Sequence, residues 1–185
     1  IEPVYRDGYD DEEGAVMQPF STIAVCGAGA MGAGIAQVAA QAGHAVVVYD
    51  VGEGPLTRGR GMVEAGLAGL VNRGKLDEAK AAEISGRIRW SADIADLAAA
   101  GLVIEAIVED AAIKGELFAK LEAVLPADAA IATNTSSLSV TALAARLAHP
   151  ERFLGMHFFN PAPVMKLVEV VRGAATDPAL ATAVV

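Results

Sequence analysis

From Ser21 onward the chain switches repeatedly between two hydrophobic periods. Short apolar runs bounded by glycine or polar residues alternate with longer segments whose apolar positions recur every three to four residues. The short runs predict strands at "TIAVCG", "HAVVVYD", "LVIEAI", "AIATNTS", "RFLGMHFF" and "KLVEVV", with "RIRWS" as an edge strand. The longer segments predict helices over about 30–42, 55–73 and 77–87. A further helix is expected in "AAIKGELFAKLEAVL", where Ile113, Leu117, Leu121, Val124 and Leu125 fall at helical spacing. "TALAARL" follows, with Ser139 and Thr141 as capping residues, and Thr176 or Asp177 caps a last helix that opens with Pro178. Strands alternating with helices of this length imply βαβ units. The expected fold is therefore α/β, a Rossmann-type, doubly wound, mostly parallel sheet with helices on both faces.

Composition narrows this picture. A chain of 185 residues suffices for one large domain with a substantial core. A formal charge of −9 argues against nucleic acid or an anionic membrane as partner. Anionic ligands stay open, because helix N-termini bind phosphates without net positive charge. The single cysteine, Cys26, excludes an internal disulfide framework, and a reducing, cytoplasmic setting is expected. Residues 14–49 hold no Asp, Glu, Lys or Arg, but Gln18, Pro19, Gln37, Gln41, His44 and several glycines break the run. It reads as buried strand, tight turn and packed helix rather than a membrane span. No metal is expected. The acidic, aperiodic residues 1–20 read as a leader, tag remnant or linker, leaving 21–185 as the domain. With Ile1 first and a helix only begun at the end, both termini read as cut.

The first strand runs into "GAGAMG", in which Gly27, Gly29 and Gly32 match G-x-G-x-x-G. A strand before it and a helix after it give the motif the context its mechanism needs. The first glycine makes the tight turn, the second lets a pyrophosphate approach the backbone, and the third lets helix and strand pack closely. Asp50 ends the second strand, twenty-three residues after Gly27 (50 − 27), where a carboxylate can accept from an adenosine ribose. No arginine adjoins it to receive a 2′-phosphate, so NAD is expected over NADP. The other reading is a glycine turn that serves helix packing only.

The later strands deliver polar residues to one rim: Glu105 and Glu109, then Asn134, Thr135, Ser136 and Ser137, then His157 and Asn160. Oxidation of a secondary alcohol needs a base for the hydroxyl proton, and histidine suits that work near neutral pH. The loop with Pro161 and Pro163 could fold Glu169 back beside His157, where its carboxylate would orient the ring. Ser136 could hold the substrate oxygen. Each of these also has a plain structural reading: a packed histidine, a solvated strand glutamate, a turn with a helix cap. Spacing alone leaves the pair open. His44 and His149 read as turn residues.

Taken together, "GAGAMGAGIAQVAA", "VIEAIVE", "NTSSLSVTALA" and "GMHFFNPAPVMKLVEVV" resemble the N-terminal NAD-binding domain of the 3-hydroxyacyl-CoA dehydrogenase family, over roughly residues 21–185. The likeness is strongest to bacterial 3-hydroxybutyryl-CoA and 3-hydroxyadipyl-CoA dehydrogenases. The resemblance implies NAD-dependent oxidation of L-3-hydroxyacyl-CoA to 3-ketoacyl-CoA, with His157 as general base, Glu169 as its partner and Ser136 as the substrate-binding serine. It implies that Gly27, Gly29, Ala30, Met31, Gly32, Asp50, Glu109, Lys114, Asn134, Ser136 and Asn160 line the cofactor site or the adjoining acyl-CoA cleft. It also implies a C-terminal helical domain that closes the cleft and carries a homodimer contact, which this sequence lacks. The isolated chain is accordingly expected to turn over weakly or not at all. Two alternatives remain: a sugar-acid or polyol dehydrogenase of the crystallin-related branch, and a non-catalytic dinucleotide-binding module.

Overall fold

The computed structural model describes residues 20–185; the acidic segment read as leader or linker, apart from Phe20, lies outside the described residues. Seven strands form one sheet in the order β3-β2-β1-β4-β5-β6-β7. These are β1 Thr22–Cys26, β2 Ala45–Tyr49, β3 Ile88–Ser91, β4 Leu102–Glu105, β5 Ala130–Thr133, β6 Phe153–Phe158 and β7 Val168–Arg172. All neighbours pair in parallel except β6 with β7, which is antiparallel. The edge position foreseen for "RIRWS" is the one β3 occupies.

Helices α1 (Ala30–Gln41), α2 (Glu53–Asn72) and α3 (Glu78–Gly86) cover one face; α4 (Ala111–Val124) and α5 (Val140–Ala144) cover the other. The period of two explains the double coverage. Ile23 and Val25 of β1 pack under α1, while Ala24 and Cys26 face the α4 side. In β4, Leu102 and Ile104 take the first face and Val103 the second. Strands buried on both sides must be apolar throughout, which is how they read in the sequence. The chain builds outward from β1 through β2 to β3 on one flank and then crosses back to β4 on the other, so the switch point of the sheet lies at the end of β1.

Two details depart from the sequence reading. Phe20 belongs to the domain, since it packs on the core and its carbonyl lies 2.7 Å from His44 Nδ1. The capping of α5 also differs in part from the sequence expectation. Ser139 alone caps α5, accepting from the amide of Ala142, whereas Thr141 accepts from Ala174. Asp177 caps α6 (Pro178–Ala183), and the buried Thr176 instead donates to the Phe153 carbonyl.

Candidate active site

The glycine turn sits at the switch point, and each of its three glycines has a different reason to be one. Gly27 has φ +103°, and a Cβ there would lie 2.6 Å from the Ala106 carbonyl oxygen. A Cβ on Gly32 would lie 1.8 Å from the Gly27 carbonyl oxygen, so α1 could not dock. Gly29 has φ −72° with nothing within 4 Å of a Cβ. The chain itself does not need glycine at that position, so the requirement lies outside it. Gly29 is the N-cap of α1 and offers no side-chain cap, and no acidic residue follows in the first turn. The helix therefore presents uncapped amides and the positive end of its dipole at Ala30 and Met31. Such an end fits a pyrophosphate.

Asp50 closes the other side of the turn. Its Oδ2 accepts from the Ala28 amide at 2.8 Å and its Oδ1 from the Val51 amide at 2.8 Å. The carboxylate is thus locked against the glycine loop, with lone pairs left for hydroxyl donors.

Glu109 stands in the loop between β4 and α4, where its Oε1 accepts from the Thr135 hydroxyl, the Ser136 amide and the Ser137 hydroxyl. Partial burial pushes its carboxyl up, but the Thr135 hydrogen bond, the nearby Lys114 charge and the Ser136 amide outweigh that and hold it below its ordinary value. Glu105, read as a rim residue, is not one. It is fully buried and turned toward α4, accepting from Lys114 Nζ at 2.6 Å, Thr133 Oγ1 at 2.6 Å and the Ile107 amide at 2.7 Å. Lys114, read as lining the cleft, lies beneath it. Its side chain is buried, and its ammonium joins Glu105 to Glu109, 3.3 Å away. Ile113, which falls on the apolar spacing of α4, is exposed.

His157 and Glu169 face one another directly across the β6–β7 ladder. Nδ1 of His157 lies 2.9 Å from Glu169 Oε2. A carboxylate only accepts, so Nδ1 carries a proton; in the neutral ring, Nε2 then keeps its lone pair. Phe159 packs against the imidazole with ring centroids 4.7 Å apart. Asn134 Oδ1 accepts from the Phe158 amide, tying the end of β5 to the residue after the histidine. The loop that follows, with a cis Asn160–Pro161 peptide, seats Ala162 and Pro163 against Gly34 of α1. Asn160 itself is exposed on that loop. Gly34 escaped the sequence reading; it lies outside the glycine motif, and only the packing shows its purpose. A groove of about 250 Å³ runs between α1, α2 and this loop, lined among others by Gln37, Gly66, Arg73 and Pro163.

The family model for the NAD-binding domain of 3-hydroxyacyl-CoA dehydrogenase matches residues 22–185. The chain belongs to that family. As a member of the 3-hydroxyacyl-CoA dehydrogenase NAD-binding domains, it takes NAD as its dinucleotide. It is 52% identical over 155 residues to the 3-hydroxyadipyl-CoA dehydrogenase of Escherichia coli K12, covering 84% of this chain and 33% of that protein. It is 45% identical over 160 residues to a 3-hydroxybutyryl-CoA dehydrogenase of Mycobacterium tuberculosis, covering 86% of this chain and 56% of that one. The crystal structure of the (S)-3-hydroxybutyryl-CoA dehydrogenase of Ralstonia eutropha superposes with a TM-score of 0.87 at 41% identity, over 89% of this chain and 58% of that chain. The chain thus spans between a third and three-fifths of the length of these relatives.

Proposed function

We propose that this domain serves an NAD-dependent 3-hydroxyacyl-CoA dehydrogenase, oxidising L-3-hydroxyacyl-CoA to 3-ketoacyl-CoA, with His157 as general base and Glu169 as its partner. The observation that carries the reading is the His157–Glu169 pair, held across an antiparallel ladder at the same end of the sheet as the dinucleotide turn. A dinucleotide module without chemistry would need the glycines and Asp50 and would have no use for the pair.

NAD would be held by the uncapped amides of α1 and by Asp50, and it supplies the hydride acceptor. The protein's own work is proton management and positioning. Nε2 of His157 takes the hydroxyl proton as the C3–H bond breaks, leaving the carbonyl. The imidazolium that results is stabilised by Glu169 through Nδ1, which also keeps the ring from turning. Ser136, exposed at the next strand end, offers a hydroxyl to the substrate oxygen. Lys114 acts at one remove, by fixing Glu109 from below. The groove beside the Pro161–Pro163 loop gives room for the thioester's carrier. Partners in this reading are the acyl-CoA and, for the longer relatives' architecture, a second copy joined through a further domain; a cytoplasmic setting goes with it.

The test is NADH formation from L-3-hydroxyacyl-CoA thioesters of several chain lengths by the polypeptide that carries this domain. His157→Gln should remove turnover by about 10²–10⁴ and leave NAD affinity within about twofold. Parallel loss of NAD binding and turnover would contradict the assignment.

A further inference from the structure

The segment that carries Ser136 has no regular structure of its own, lying between β5 and α5. Its hydrogen bonds converge on its neighbour. Thr135 is buried, and its Oγ1 accepts from the Leu138 amide at 2.9 Å and from the Ser137 amide at 3.3 Å. Both lone pairs are thereby used, so the hydroxyl proton has one direction left, toward Glu109 Oε1, its third partner. Glu109 in turn accepts from the Ser136 amide at 3.1 Å, and its other oxygen faces Lys114 Nζ.

Lys114 cannot swing away from this arrangement. Its ammonium is sealed in the interior against Glu105, itself held by Thr133 and the Ile107 amide. A buried ammonium is tolerated only beside a compensating carboxylate, and Glu105 supplies it. The chain of contacts runs from the sheet interior outward: Glu105, Lys114, Glu109, Thr135, then the backbone of 136–138. Every member up to Thr135 is committed, whereas the Ser136 hydroxyl makes no hydrogen bond among the described residues.

We propose that Thr135 is a positioning residue for Ser136, fixing the backbone on both sides of the serine to the buried Glu105–Lys114 pair through Glu109. The proposal rests on the reading above for the importance of Ser136, but the clamp can be measured without it.

The experiment compares Thr135→Val, which keeps the shape and removes the hydroxyl, with Thr135→Ser, which restores it. Amide hydrogen exchange is followed in the ¹⁵N-labelled 185-residue chain. Thr135→Val should speed exchange at Ser136, Ser137 and Leu138 by about fivefold or more and leave the sheet amides of Val103 and Ala132 unchanged. Thr135→Ser should return the wild-type rates. Unchanged exchange at Ser136 in Thr135→Val, or a rise shared equally by the sheet amides, would overturn the proposal. In turnover of L-3-hydroxyacyl-CoA by the longer polypeptide that carries this domain, Thr135→Val should lower kcat about tenfold with KM for NAD within about twofold, and Thr135→Ser should recover kcat. Absence of turnover in the unsubstituted protein would count against the proposed function and leave the clamp to stand or fall on the exchange data.

Discussion

Gly29 separates the two explanations of a glycine motif more cleanly than its neighbours do. Gly27 and Gly32 are demanded by the fold, through a positive φ at one and a steric contact at the other. Gly29 is demanded by neither. Gly29→Ala should therefore leave the thermal midpoint within about 4 °C of wild type, since the poorer N-cap, about 1 kcal/mol, is partly offset by the lower entropy of the unfolded chain. NAD affinity should fall at least tenfold, measured by calorimetry. Gly32→Ala should instead lower the midpoint sharply, because its Cβ meets backbone. The motif and Asp50 were legible from spacing because the constraints on them are local. Glu105 and Lys114 were not. A carboxylate at a strand end and a lysine on a helix read as rim groups, and only the contact between two distant segments shows that each buries the other.

At the scale of the element, α4 shows the same competition. Ile113 falls on the same helical spacing as Leu117 and Leu121, yet Glu105 draws Lys114 inward and Ile113, one position earlier, is exposed. The strands were readable to within about three residues at their ends, because burial on both faces keeps the central ones largely apolar. The β6–β7 pairing was readable only as a possibility offered by two prolines; its register, which sets His157 opposite Glu169, comes from the assembled sheet. Helix α2 carries a different lesson. Gly61 lies within it with nothing within 4 Å of a Cβ, so the residue contributes only its entropic cost. Gly61→Ala should stabilise the domain by about 0.5–1 kcal/mol, raising the midpoint by about 1–4 °C in a thermal melt.

At the scale of the whole molecule, acid should loosen the fold. Glu109 and Asp110 are held below their ordinary values, Glu109 against an opposing burial effect by Thr135 and Lys114, and Asp110 chiefly by the amides of Ile113 and Ala112. A carboxyl whose folded value is depressed binds its proton more readily when unfolded. Its stabilisation is therefore complete above the ordinary carboxylate range, near 4, and is lost as pH falls through and below that range. Denaturant midpoints should drop steadily below about pH 4.5, and Glu109→Gln should flatten that slope; an unchanged slope would remove Glu109 from the account.

The domain as a whole brings three separately anchored parts together: a dinucleotide turn at the switch point, a clamped serine, and a histidine–glutamate pair braced against α1 through Gly34. The central claim is that this assembly separates binding from chemistry, with the turn doing the first and His157 the second. The most direct measurement is NAD affinity and NADH formation from L-3-hydroxyacyl-CoA in one preparation of the longer polypeptide that carries this domain, for wild type and His157→Gln. The account predicts unchanged affinity and a rate lower by about 10²–10⁴; equal turnover in the two proteins would contradict it.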